Sequence, residues 1–373
     1  MTRKPDIRLP LLFAAMASFI LLGAYQAVLG PALPVYQQIF ALDTATAGWL
    51  ISTLGIGSFI GIAGMYFVGH HVSPRVALAA MAVGAALLAI APDWITSLGG
   101  GVLFGIGYGS VATLFNARIL AAFGRRGPAM VSLINALYSV GAIATPLLFV
   151  WLGSDPKVIF WIISGLTVLT IIASGPAGRA TAVGVANTSG FRLHLPILAF
   201  GALAIGLEVC LTGLAPSALI RSGISPQRAA ELLSAFFVAF LLGRLGLTFL
   251  ANRVPSFAVY TFAVSFTALC ALGCALYDPV WFYPPIGAAV GLFFPGFFVT
   301  AITKMGTDTR VAPVLLGTCQ IGAVLAPLVV AALIPQMGDK GFFWLMAAGA
   351  GGLAILALLF FRQMSRQGGS PAI

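Results

Sequence analysis

The chain states one pattern twice. It reads SVGAIATPLL from Ser139 to Leu148 and QIGAVLAPLV from Gln320 to Val329, a Gly-Ala step with a proline five residues after the glycine, repeated at an offset of 181. Further pairs fall at nearly the same interval. Gly61 and Gly64 answer to Gly243 and Gly246, and Gly105 and Gly109 to Gly287 and Gly291, each at an offset of 182. Matches at one offset across most of the length restrict the chain to two related halves joined in tandem.

Each copy lies in an apolar run long enough to cross a bilayer, for which about 20 residues suffice. Hydrophobic residues make up 60% of the chain and charged ones 8%, against roughly a quarter charged in soluble domains. Reading the apolar runs between charged or Pro/Gly-rich breaks gives twelve spans, over 10–34, 46–69, 75–92, 96–121, 129–152, 157–175, 194–220, 227–251, 255–277, 280–303, 311–335 and 340–362. The expected fold is therefore an all-α membrane protein of two pseudo-symmetric six-helix bundles. The first occupies 1–175 and the second 194–373, with a polar linker over 176–193. The first run continues through Gly30 and Pro31 to Pro34, so it reads as a span rather than a cleaved leader.

A net charge of +10 invites a nucleic-acid reading, but the positions of the cations oppose it. Assigning alternate loops to opposite sides leaves only Lys157, Arg221, Arg228 and Lys340 on one side. Arg244 lies within a helix, and the other basic residues gather on the opposite side. That bias predicts cytoplasmic termini, and the chain is expected as a multi-pass protein of the inner (plasma) membrane. Asp43, Asp93, Asp155, Glu231, Asp278 and Asp339 fall in the outer loops. Cys210, Cys270, Cys274 and Cys319 all sit in apolar segments, where they read as small packing residues.

The glycines after spans 2 and 8, with the halved repeat and the twelve spans, resemble the major facilitator superfamily. His70 and Asn252 stand near where that family's loop signature carries an aspartate, and Arg75 and Arg253 keep its basic character. A narrower pattern resembles the fucose:proton symporter branch: Asn116, Asn135 ahead of Gly141 and Pro146, and Glu208 in span 7. Many members of that branch carry histidine where this chain has Asn135. The resemblance implies a pathway lined by helices 1, 4, 7 and 10 with parts of 5, 8 and 11. Tyr25, Gln26, Tyr108, Asn116, Asn135, Tyr138 and Gln320 land on those helices, and their amide and phenol groups can donate and accept hydrogen bonds. Each could equally bond helix to helix.

Glu208 is the acid nearest the middle of a span, and an ionisable group at that depth is a functional candidate. It is the expected proton-coupling residue. Arg244 could pair with it, anchor an anion or act as a gate, and Arg118 could serve as a gate or snorkel to the interface. Gly141 with Pro146 and Gly322 with Pro327 are expected to kink paired helices. No phosphate-binding loop, hydrolase motif or metal-ligand cluster is legible, so the sequence implies neither an enzyme nor a cofactor, a metal site or a nucleic-acid partner.

A duplicated membrane chain of this kind points to secondary transport by alternating access, two halves rocking about a central site. The expected partners are the lipid bilayer, a small polar solute such as a sugar or related metabolite, and protons, or sodium in their place, as coupling ion. Two other readings remain open at this point: proton-antiport efflux of drugs, siderophores or amphiphilic metabolites, and a receptor of the same shape that transports nothing.

Overall fold

A computed structural model describes residues 8–68, 72–174, 191–250, 254–306 and 311–365. Most of the linker, and the loop positions His70, His71, Asn252 and Arg253, lie outside the described residues. The first half holds α1 (Arg8–Ile39), α2 (Thr44–Val68), α3 (Pro74–Ile90), α4 (Trp94–Phe123), α5 (Gly127–Trp151) and α6 (Pro156–Ala173). The second holds α7 (Leu195–Gly213), α8 (Pro226–Leu250), α9 (Ser256–Leu276), α10 (Pro279–Met305), α11 (Val311–Leu333) and α12 (Gly341–Leu359), with short helices at Ala215–Arg221 and Phe361–Ser365. Eleven of the long helices are sufficiently extended and apolar to cross a membrane, and α3, at 17 residues, is the shorter twelfth. The protein has the expected twelve-helix membrane fold.

Backbone contacts divide the chain into two compact units, Met1–Ala41 with Thr53–Val185, and Leu42–Ser52 with Ala186–Ile373. The two share one packing plan. In the first unit α1 lies against α5, and α3 against α4 and α6; in the second α7 lies against α11, and α9 against α10 and α12. Apolar side chains such as Phe13, Trp151, Leu169, Ile172 and Leu359 are left outward, as a lipid-facing surface requires.

The repeat read from the sequence is a repeat of contacts. A Cβ on Gly105 would meet the Leu54 carbonyl and one on Gly287 the Phe236 carbonyl; on Gly109 it would meet Ser58 and on Gly291 Phe240. Gly61 presses on the Ile106 carbonyl and Gly243 on that of Ala288, while Gly141 presses on Ile20 and Gly322 on Ala202. Without a hydrophobic drive between helices in lipid, such close backbone approach supplies much of the association. Inter-helix hydrogen bonds add to it, from Tyr36 Oη to the Leu88 carbonyl at 2.8 Å, from Ser164 Oγ to Ala82 at 2.9 Å and from Tyr260 Oη to Phe200 at 2.9 Å.

The prolines act differently at different places. Pro146 lies inside a continuous α5 and Pro327 inside a continuous α11, and α1 runs through Pro31 and Pro34 to Ile39. Span 7, expected as one helix over 194–220, instead breaks at Leu214, and Pro216 opens the separate helix Ala215–Arg221. Pro216 has no N–H to continue the ladder, and Thr212 Oγ1 donates to the Glu208 carbonyl at 2.9 Å one turn earlier.

Four of the acids read as outer-loop charges cap helices. Asp43 accepts from the Thr46 N–H, Asp93 from Thr96, Asp155 from Lys157 and Asp278 from Val280, at 2.7 to 2.9 Å, at the starts of α2, α4, α6 and α10. Those bonds, from the Thr46 and Thr96 backbone first, hold the Asp43 and Asp93 carboxyls below their ordinary range.

Replacing Gly105 or Gly287 by valine is expected to destabilise the protein by about 1–3 kcal/mol through overpacking. Gly165→Ala, where nothing lies within 4 Å, should stay within about 0.5 kcal/mol of the parent. Thermal unfolding in detergent measures both.

Candidate functional site

In the first unit the polar side chains form two pairs along α4. Tyr108 Oη donates to Gln26 Oε1 on α1 at 3.0 Å, and Asn135 Nδ2 on α5 donates to Asn116 Oδ1 at 3.3 Å and to the Val131 carbonyl at 2.8 Å. All four are partly exposed, as is Tyr138, three residues beyond Asn135. The structure thus brings together four of the residues picked from the sequence, in two pairs.

Tyr25 departs from the expectation that it faces the same space as Gln26. Its ring is fully buried and stacked on Phe104, with centroids 3.5 Å apart and planes 6° from parallel, and it meets Phe160 at 5.9 Å. Neighbouring helix residues point about 100° apart, so a helix that turns Gln26 to the open side turns Tyr25 to the core. Its hydroxyl is buried without a hydrogen-bond partner among the described residues.

In the second unit Glu208 lies on α7, partly exposed, with Oε2 buried and without a hydrogen-bond partner among the described residues. Arg244 on α8 is the cation whose charge reaches it. That guanidinium is firmly held: Nε donates to the Gly291 carbonyl of α10 at 3.3 Å, and its carbon lies 4.3 Å from the centre of the Phe240 ring. Phe240 stands four residues before Arg244, a cation-over-ring spacing legible in the sequence but not singled out there. Cys319 on α11, read as a packing residue, is buried and also lies within reach of the Glu208 charge. Gln320 beside it is partly exposed. Arg118, near the end of α4, donates through Nη2 to the Val72 carbonyl at 3.3 Å, which ties α4 to the segment before α3.

His194 caps the helix that carries Glu208, its Nδ1 accepting from the Ile197 N–H at 3.4 Å. Partial burial, and then the positive charge of Lys304, push its imidazole below the ordinary value of 6.5. The helix start adds its own positive end, so neutral histidine is the form that fits.

These features can be set beside known proteins. The family model of the Major Facilitator Superfamily matches residues 11–318, and the chain belongs to that superfamily. No curated protein matches it by sequence. Among solved structures it is similar to a POT family transporter in complex with 5-aminolevulinic acid, at 12% identity over 98% of each chain with a TM-score of 0.78. It is similar to the nucleoside transporter NupG at 16% identity, over 96% of this chain and 99% of that one, with a TM-score of 0.70. The FucP transporter in its outward conformation follows at 18% identity, 95% and 98% coverage and a TM-score of 0.64. At such identities the likeness establishes the fold, and the family makes the chain a membrane transporter rather than an enzyme.

Because the folded-state value of His194 is depressed, its contribution to stability is complete above about pH 6.5 and is lost as pH falls through the folded value. His194→Asn keeps a capping acceptor without a titrating ring. The unfolding temperature of the parent should therefore drop between pH 6.5 and 5 relative to that of the variant.

Proposed function

We propose that this protein is a secondary active transporter that carries a small polar solute across the inner (plasma) membrane by alternating access, coupled to protons through Glu208. The observation that carries the reading is the carboxyl itself. It is the acid in the middle of an apolar helix, and one of its oxygens is buried with no described partner. A buried carboxyl without a hydrogen bond is costly to keep charged, so it is suited to take up a proton and give it back as its surroundings change. Arg244, held against the Gly291 carbonyl and the Phe240 ring, is the candidate charge partner.

A polar solute is supported by the chemistry of the first unit, where amide and phenol groups of partly exposed residues pair along α4. It also agrees with the solutes named for similar folds, a nucleoside and 5-aminolevulinic acid. The excess of cations at one side of the membrane supports cytoplasmic termini.

Reconstitution in proteoliposomes tests coupling. An inward proton gradient should drive solute accumulation, and Glu208→Gln should abolish that accumulation while leaving solute exchange within about threefold of the parent. Undiminished proton-driven uptake in the variant would remove Glu208 from the coupling role. Expulsion of solute under the same gradient would mean antiport efflux, and dependence on sodium instead of pH would change the coupling ion.

A further inference from the structure

The two polar pairs of the first unit sit at different heights. Tyr108 and Asn116 are eight residues apart on α4, which at 1.5 Å per residue separates them by about 12 Å along the helix. Each pair is closed on one side by its internal hydrogen bond. Gln26 uses its oxygen to accept from Tyr108, and Asn116 uses its oxygen to accept from Asn135. Each amide therefore keeps its NH2 as a double donor, and both residues are partly exposed.

Between them the unit offers no charge. Apart from Arg8 at its start, α1 carries no Asp, Glu, Lys or Arg; α5 carries none, and α4 has only Arg118, whose Nη2 donates to the Val72 carbonyl. Tyr138, partly exposed on α5, adds an aromatic group. Aromatic surface with hydrogen-bonding groups suits a flat or ring-shaped solute.

We infer that the first unit is a two-station reader for a neutral solute built of two linked rings, a nucleoside or a disaccharide, with the Gln26–Tyr108 pair holding one end and the Asn116–Asn135 pair the other. The inference rests on the transporter reading above and narrows its substrate class. A single sugar ring fills one station and leaves the other empty. A charged solute finds no counter-charge at either station, since amide donors and acceptors carry no net charge to oppose it.

Binding to the purified full-length protein by thermal shift and calorimetry tests this with uridine and sucrose as two-ring probes, ribose and glucose as single rings, and glutamate as a charged control. At least one two-ring probe should bind ten-fold or more tightly than both single rings and the control. Gln26→Ala and Asn116→Ala should each weaken that probe at least ten-fold. Gln26→Glu and Asn116→Asp keep an acceptor for Tyr108 and Asn135 but put a carboxyl where the NH2 donors stood, so they should weaken it likewise, with the unfolding temperature of the empty protein read alongside to separate lost binding from lost folding. Equal affinity for a single ring, preference for glutamate, failure of both two-ring probes to bind, or unchanged affinity in the variants would each overturn the two-station reading. The transporter reading would survive those results if proteoliposomes still moved any solute down an imposed gradient, and would fall if they moved none.

Discussion

Close contact between helix backbones organises this protein. In lipid the side chains gain little by leaving their surroundings, so helices hold together where they come near enough for dispersion and short polar contacts to add up. Glycine makes that possible, and it does so at equivalent places in both units: Gly105 and Gly287 on α4 and α10, Gly61 and Gly243 on α2 and α8, Gly141 and Gly322 on α5 and α11. The polar residues of the site are carried on the same helices. Tyr108 lies between Gly105 and Gly109, and Arg244 directly follows Gly243. Packing on one face of a helix thus sets the direction of the polar groups on the next.

Much of this was legible in the sequence because the glycine repeat and the apolar runs are local signals with a fixed period. The offset near 182 predicted which helices correspond, and the contacts of Leu54 and Phe236, or Ser58 and Phe240, reproduce it. Hydropathy alone carries span 7 on to residue 220, whereas the helix ends at Gly213 and a new one starts at Ala215, ahead of Pro216. The aspartates were read as loop charges when their physical task is to satisfy the free N–H groups at the starts of α2, α4, α6 and α10.

The site was harder to read, for reasons visible at Tyr25 and Gln26. A list of polar residues at one depth does not say which way each points, and those two neighbours part company, one into an aromatic stack and the other into a pair with α4. Pairing between Asn116 and Asn135, 19 residues apart, depends on how α4 and α5 cross, which no local pattern encodes. Cys319 near Glu208 is a tertiary neighbour of the same kind.

The two units differ where their scaffolds agree. The helices of the first unit hold neutral groups that satisfy one another in pairs, while α7 and α8 of the second hold a carboxyl and a guanidinium. A neutral pair keeps its hydrogen bond whatever the proton concentration, so recognition built on it does not change as a coupling proton comes and goes. A buried carboxyl changes charge with its proton, and its cost of burial changes by several kcal/mol with it. In the function proposed above, recognition and coupling fall on separate units, so that a titration biases conformation without altering what is recognised. The duplicated scaffold makes that division possible, because packing contacts common to both halves leave the polar faces of each free to diverge.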